Sequence, residues 1–385
     1  MPEVARPAGG GAREVFAAFL RLGLTSFGGP VAHLGYFRAE FVARRHWLDD
    51  QAFSDLVALC QFLPGPASSQ TGFALGLLRA GYAGALAAWA GFMLPSAALL
   101  VAFAYGAGRI AGSAVGTGLL HGLKLVAVAV VAQAVWGMAR TLCPDRPRAA
   151  IGTLAAVLLL LHPGPAAQVG AILAGGVAGL FLDARGADPG QPVRLPVGRG
   201  MGVACLALYA ALLVAPLPPF AGAIYRAGAL VFGGGHVVLP LLRDAVVTPG
   251  FVPEGAFLAG YGAAQAVPGP LFTFAAYLGA IEGGLAGAAV ALAAIFLPGM
   301  LALLGTLPFW AALRAHPRAR AAMGGINAAV VGLLGAALYT PVWTSAVVRP
   351  GDVAAALVGF VLLTVWRAPP LLVVALGAAV GITLG

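Results

Sequence analysis

The chain reads as an all-α polytopic membrane protein made of two inverted-topology repeats, with broken or re-entrant helices at Gly-Gly-Pro and Pro-Gly-Pro motifs. Composition, the spacing of apolar windows and an internal repeat predict this. Of 385 residues, 61% are hydrophobic and only 9% are charged, with a mean hydropathy of +0.94. That balance excludes a soluble globular domain. Spans of about 20 residues each use up the length and leave no room for a sizeable soluble unit.

The windows follow in order. "MPEVARPAGGGA" is rich in Pro, Gly and Ala, and residues 1–14 are expected to be disordered. Apolar windows then fall at residues 15–37, 52–79, 82–107, 114–139, 149–162, 166–182, 200–216, 222–242, 255–281, 284–310, 320–340, 352–366 and 369–384. The first is too long for a signal h-region and contains Arg21, so the N-terminus is expected to be retained. The polar, Pro/Gly-rich stretch from Asp183 is the clearest linker. The expected division is a first repeat over 15–183, a linker with one connecting helix over 184–219 and a second repeat over 220–385.

The internal repeat is specific. "RLGLTSFGG" from Arg21 returns as "RAGALVFGG" from Arg226, and Arg38 corresponds to Arg243. "QFLPGP" (Gln61 to Pro66) returns as "QAVPGP" (Gln265 to Pro270), and Pro95 corresponds to Pro298. "HGLKLVAVAVV" from His121 aligns with "GGINAAVVGLL" from Gly324, setting Lys124 opposite Asn327. Order and a near-constant offset over more than a hundred residues argue for two homologous halves. If every window crosses, seven crossings precede the second copy, which therefore enters from the opposite face.

Net charge is +9, and the arginines cluster in short loops. This is a positive-inside pattern with a cytoplasmic N-terminus in a bacterial inner membrane, and it needs no nucleic-acid partner. One loop conflicts, because Arg38, Arg44 and Arg45 count as outside. Re-entrant hairpins at both motifs would return that loop to the inside and preserve all later parity. These segments either span the membrane or turn back within it. Cys60, Cys143 and Cys205 lack metal-ligand spacing and read as packing thiols; no metal or cofactor is expected.

The breaks carry the functional reading. Proline after Gly28 and Gly29, and again closing Pro64-Gly65-Pro66, suits the first turn of a new helix. A break at mid-membrane leaves backbone N–H groups and a positive helix end that water, a pocket or an anion must satisfy. The alternative is glycine for close packing and proline for kinks. Phe27, Gly28 and Gly29 recur as Phe232, Gly233 and Gly234, and Pro64 and Gly65 as Pro268 and Gly269, which favours a site. Arg21 and Arg226 either line an anion path or snorkel to the interface. Lys124, the only lysine, has the same two readings, with Asn327 as its counterpart. Ser68 and Ser69 either bind an oxyanion with the backbone or cap the helix. Gln61 and Gln265 either donate to a ligand or brace the break. His33 and His236, not at equivalent positions, are candidates for proton coupling. No acid lies plainly at mid-membrane, which argues against a carboxylate cation site.

The run from "FLRLGLTSFGGPVAHLGYF" to "QFLPGPASSQ", with "YRAGALVFGGGHVVLPLL" and "QAVPGP" in the second half, resembles the chromate ion transporter family, in its long two-domain form. The resemblance spans essentially the whole chain. It implies efflux of chromate, a tetrahedral dianion like sulfate, and hence chromate resistance; the residues themselves argue only for an anion. Gly235 and His236 stand where the first copy has Pro30 and Val31, so the two copies of the site are not expected to be strictly symmetric. The partners expected are an oxyanion such as chromate or sulfate and membrane lipid, with a homodimer left open. The mechanism expected is alternating access by rocking of the repeats. Rivals are transport of another anion and a membrane-embedded enzyme, the latter lacking HExxH, paired intramembrane acids or a nucleophile elbow.

Overall fold

The computed structural model describes residues 11–26, 29–110, 113–182, 195–232 and 237–384, and these are helical with no strand among them. The first half comprises α1 (Ala12–Thr25), α2 (Gly29–Phe37) continued by a π-helical turn (Arg38–Arg44), α3 (Asp50–Phe62), α4 (Ala67–Ile110), α5 (Ala114–Leu142), α6 (Arg146–Leu161) and α7 (Pro165–Gly179). α8 (Arg199–Val214) leads to α9 (Pro219–Ala229), α10 (Val238–Val246), α11 (Glu254–Ala264) and α12 (Phe274–Thr306). α13 (Trp310–Ala315), α14 (Pro317–Ala337), α15 (Thr344–Ala346), α16 (Pro350–Thr364) and α17 (Pro370–Leu384) complete the chain. Helix starts follow local chemistry: Asp49, Ser113 and Asp145 accept from the N–H groups of Ala52, Gly116 and Arg148. α7, α9, α14 and α16 each open with proline.

The segments at both motifs turn back. α1 and α2 form an antiparallel hairpin in which Phe19 packs on Phe37 and Phe41 at 5.5 and 4.7 Å. Its two ends are tied together where Arg45 pairs with Glu14 at 3.2 Å. A second hairpin runs through α3 and the first arm of α4, bringing Cys60 to Thr71 across the Pro-Gly-Pro turn, and Arg79 returns to Glu14 at 3.1 Å. The loop with Arg44 and Arg45 therefore lies beside the start of α1, on what we term the proximal face. The charge conflict in the sequence disappears with it.

α4 is itself folded. Ala80 and Gly81 leave helical geometry, with φ of 61° at Gly81, and the arms close so tightly that a Cβ on Gly76 would lie 2.3 Å from the Gly84 carbonyl. α12 repeats this at Gly283 and Gly284, again with φ of 61°. Among the described residues four stretches are long and apolar enough to cross a membrane; two of them, Ala67–Gly106 and Leu271–Leu313, therefore contain a hairpin, and Ala114–Leu142 and Pro317–Ala346 are the other two. The windows separated at residues 79/82 and 281/284 meet at these turns.

The second arm of α4 reaches the opposite, distal face, where the Tyr105 hydroxyl lies near Gly284. α5 starts there, with Lys124 against Gly255, and returns to the proximal face. On the distal face Arg243 and Glu254 pair at 3.2 Å, tying the loop between α10 and α11. The second half is thus inverted relative to the first. The halves also exchange their ends. α6 runs parallel to α14, with Gly152 on Ala328 and Ala156 on Gly332; α7 runs antiparallel, with Gly175 on Gly325. In turn α17 lies on α5, with Gly377 on Gly122 and Gly381 on Gly118. Small residues let these backbones approach without a hydrophobic driving force from water.

Asp352 anchors the exchange. Its fully buried carboxylate accepts from the Val348 and Arg349 N–H groups at 2.9 and 3.0 Å and meets His121 Nε2 at 2.8 Å. Asp352→Ala is expected to destabilise the protein by about 2 kcal/mol in detergent unfolding, since three part-buried partners lose a charged group. An unchanged midpoint would overturn that role.

Candidate functional site

The two Pro-Gly-Pro turns meet the ends of the first helices at the crossing of the two halves. Gly65 N–H donates to the Val231 carbonyl at 2.7 Å, and Gly269 N–H donates to the Ser26 carbonyl at 2.8 Å. Val231 is the repeat image of Ser26, so each Pro-Gly-Pro turn is pinned to the end of the first helix of the opposite half. Both glycines need the left-handed side of φ space, at 116° and 95°. Gln70, buried in the first arm of α4, donates from Nε2 to the Pro64 carbonyl at 2.9 Å and to the Gly299 carbonyl at 2.8 Å. Gln70 went unread in the sequence because its repeat image is Phe274.

A cavity of ≈ 970 Å³ reaches this crossing. Gln61, Gly65, Gln265, Gly269 and Asn327 line its inner end, and the C-terminal half of α5 and the turn from α16 to α17 form its outer wall. Both of these elements end on the proximal face, so the cavity opens there. The arms of α4 and α12 begin at its floor with Ala67 and with Leu271 in a 3-10 turn, directing two positive helix ends towards it.

The distal side carries the repeat image of the outer wall. A pocket of ≈ 240 Å³ is lined by Leu333, Ala336, Ala337, Tyr339 and Thr340, which correspond to Val130, Gln133, Ala134, Trp136 and Gly137 of the large cavity. Leu159, Pro163 and Gly164 likewise correspond to Leu363, Arg367 and Ala368. The small pocket includes none of the residues at the crossing. Across it, buried Gln168 donates to the Asp244 carboxylate at 2.6 Å, joining α7 to α10, and Asp244 meets Arg243 at 3.3 Å.

Several residues singled out in the sequence are not brought together. Arg21 is exposed on the outer face of α1 beside exposed Leu24. Arg226 is exposed and folds back over Gly222 towards the start of α9, the snorkelling geometry. Neither lines the cavity, and nor does Lys124, although its counterpart Asn327 does. Ser68 and Ser69 are buried in the first turn of α4, off the cavity. His33 is buried with its ring edge-on to Phe92 at 5.2 Å and beside the Ser26 backbone, and it does not line the cavity. Pro64 serves through its carbonyl, Pro268 is buried outside the lining, and Phe232 packs at the core margin. Gly29 opens α2. Phe27, Gly28, Gly233, Gly234 and His236 lie outside the described residues. The repeated Gly23 and Gly228 are packing glycines: a Cβ on either would lie 2.6 or 2.4 Å from the carbonyl of Gly91 or Ile295.

Two cations that the motif reading missed do line the cavity, Arg140 near the end of α5 and Arg367 after α16. They sit in loop-facing positions outside the repeated motifs, and only the packing of α16 and α17 on α5 brings them together.

The family model for chromate transporters matches residues 13–180 and 219–382, one copy on each half. The chain belongs to the chromate transporter family. A chromate transport protein of Pseudomonas aeruginosa is 32% identical over 337 residues, covering 84% of this chain and 79% of that protein. A chromate transport protein of Cupriavidus metallidurans is 28% identical over 330 residues, covering 84% and 80%. An uncharacterized transporter of Methanocaldococcus jannaschii is 23% identical over 336 residues, covering 84% and 82%. No solved structure matches the chain. As a member of the family, the chain is a multi-pass membrane protein.

Proposed function

We propose that this chain is a secondary transporter, with no enzymatic activity, that exports chromate or a like tetrahedral oxyanion from the cytoplasm by alternating access. One observation carries the reading: a cavity reaches the crossing of the inverted halves from the proximal face, while its repeat image on the distal face stops short. Such a pair is what rocking of two inverted repeats around one site interconverts. Family membership and the chromate transport proteins of P. aeruginosa and C. metallidurans support the substrate.

In this reading 15–183 and 220–385 are the repeats and 184–219 the connection; family matches over 13–180 and 219–382 support that division. The arginines of the loops after α2 and α5 and before α8 favour the proximal face, and with it the N-terminus, in the cytoplasm of a bacterial inner membrane. An interior-negative potential then drives a dianion outward, by about 2.3 kcal/mol per charge per 100 mV. Gln61, Gln265 and Asn327 supply polar contacts at the inner end of the cavity, beside the two helix ends. Export of this kind would confer chromate resistance.

Chromate flux in proteoliposomes, with sulfate as competitor, tests the reading. Saturable flux with counterflow is expected. Linear, non-saturating flux would replace the carrier by a channel, and flux of neither anion would overturn the substrate class.

A further inference from the structure

The cavity lining contains Arg140 and Arg367 and no Asp or Glu, and neither arginine has a carboxylate partner among the described residues. A vestibule with two unneutralised guanidinium groups and two helix ends at its floor suits a doubly charged tetrahedral anion, which two forked donors can hold through separate oxygens. The unpaired charge is one-sided: the small distal pocket also includes Arg243, but that guanidinium is paired with Asp244 and Glu254 at 3.3 and 3.2 Å. The repeat images of Arg140 and Arg367 are Trp343 and Pro163, so the distal vestibule carries neither cation.

The backbone at Arg367 bears on its role. α16 ends with the Val365 and Trp366 N–H groups donating to Val361 and the Ala368 N–H donating to Leu362, and Arg367 occupies the left-handed position of this cap with φ of 51°. Glycine is the residue that fits there without strain. An arginine in its place puts a charged side chain on the cavity wall at the expense of local conformational energy, as happens at ligand sites.

We infer that Arg140 and Arg367 form the capture site for the dianion on the proximal face, and that the lack of counterparts on the distal face favours release there. This rests on the oxyanion-transport reading above. Arg367→Gly separates it from a structural role, because glycine relieves the cap while removing the charge.

The test measures initial chromate uptake into proteoliposomes of neutral lipid, for right-side-in and inverted orientations separately, with thermal midpoints of the same preparations. Arg367→Gly and Arg140→Gln are each expected to raise KM at the proximal face about tenfold, the value of one charge-assisted contact. The KM at the distal face should stay near wild type, and the midpoint of Arg367→Gly should be no lower than wild type. Wild-type flux with unchanged proximal KM in both variants would overturn the inference and leave the transport reading standing. A loss matched by a fall in midpoint in both variants would also overturn it, since the arginines would then be structural. If Arg140→Gln fails to fold, Arg140→Lys keeps the test, because a point charge without the fork should give an intermediate KM. Absence of wild-type flux for chromate and sulfate alike would instead remove the reading on which the inference depends.

Discussion

Gly65→Ala is expected to abolish transport and to lower stability by about 3–5 kcal/mol, through backbone strain and overpacking together. Its φ of 116° is closed to a residue with a Cβ. That Cβ would also lie 2.9 Å from the Gly299 Cα, and backbone on the tightly packed α12 cannot move aside. Any shift of the turn would stretch the 2.7 Å bond to Val231 of the other half and the Gln70 bond to Pro64, disturbing the side chain that also bonds Gly299 across the halves. The pseudo-equivalent Gly269→Ala should be milder, at about 2–3 kcal/mol, since its Cβ would meet the Ser96 hydroxyl at 2.9 Å, the end of a side chain. Ser96→Gly, which copies Gly299 of the other half, should recover part of that loss but none of the loss at Gly65. Detergent melting midpoints and proteoliposome flux for the four variants check this ordering; equal effects at the two glycines would refute the packing argument.

Much of this was legible in the sequence, and the residues show why. Repetition of "RLGLTSFGG" and "QFLPGP" fixed the two halves, because a backbone that must turn at left-handed φ or touch another backbone leaves glycine and proline as its mark. The helix ends at residues 79–82 and 281–284 were visible as gaps between apolar windows for the same reason. What those gaps do was not visible. Hydropathy measures how apolar a stretch is and is blind to its direction, so a hairpin and a crossing score alike; the return shows in contacts such as Gly76 with Gly84 and Gly279 with Gly287, as Arg45 and Arg79 meeting Glu14 shows it for the hairpins at the two motifs.

The candidate site was legible in part. Gln61, Gln265, Gly65, Gly269 and Asn327 face the cavity, whereas the intramembrane arginines Arg21 and Arg226 do not. A charge in an apolar window is a strong one-dimensional signal, yet an arginine stem is long enough to carry the guanidinium back to the interface, as Arg226 does over Gly222. Arg140 and Arg367 gave no signal because loop arginines are ordinary in a membrane protein. The exchange of α16 and α17 onto α5 places them, and that is a contact between segments more than two hundred residues apart.

Gln168→Leu and Asp244→Ala are each expected to open the distal face. The hydrogen bond between these residues spans α7 and α10, across the pocket that images the outer wall of the open cavity. Among the described residues, nothing comparable closes the proximal face. Asp244 corresponds to Ala39, and the matched packing of Gly175 with Gly325 and Gly377 with Gly122 sets Gln168 opposite Pro370, so neither image can make the bond. Loss of a buried bond to a carboxylate shifts the balance of the two states by about 1.5–3 kcal/mol, or roughly ten- to a hundredfold in population. A cysteine at Ala336 should therefore react faster with an impermeant reagent added at the distal face in either variant, and a cysteine at its image Gln133 should react more slowly from the proximal face. Asp244→Asn, which can still accept from Gln168, should fall between. By the repeat, the distal cavity would be lined at its inner end by Lys124 in place of Asn327, so Lys124→Gln should leave the proximal KM unaltered and change the distal one. Unchanged labelling at both cysteines in the Gln168 and Asp244 variants would show that this bond does not hold the distal path shut.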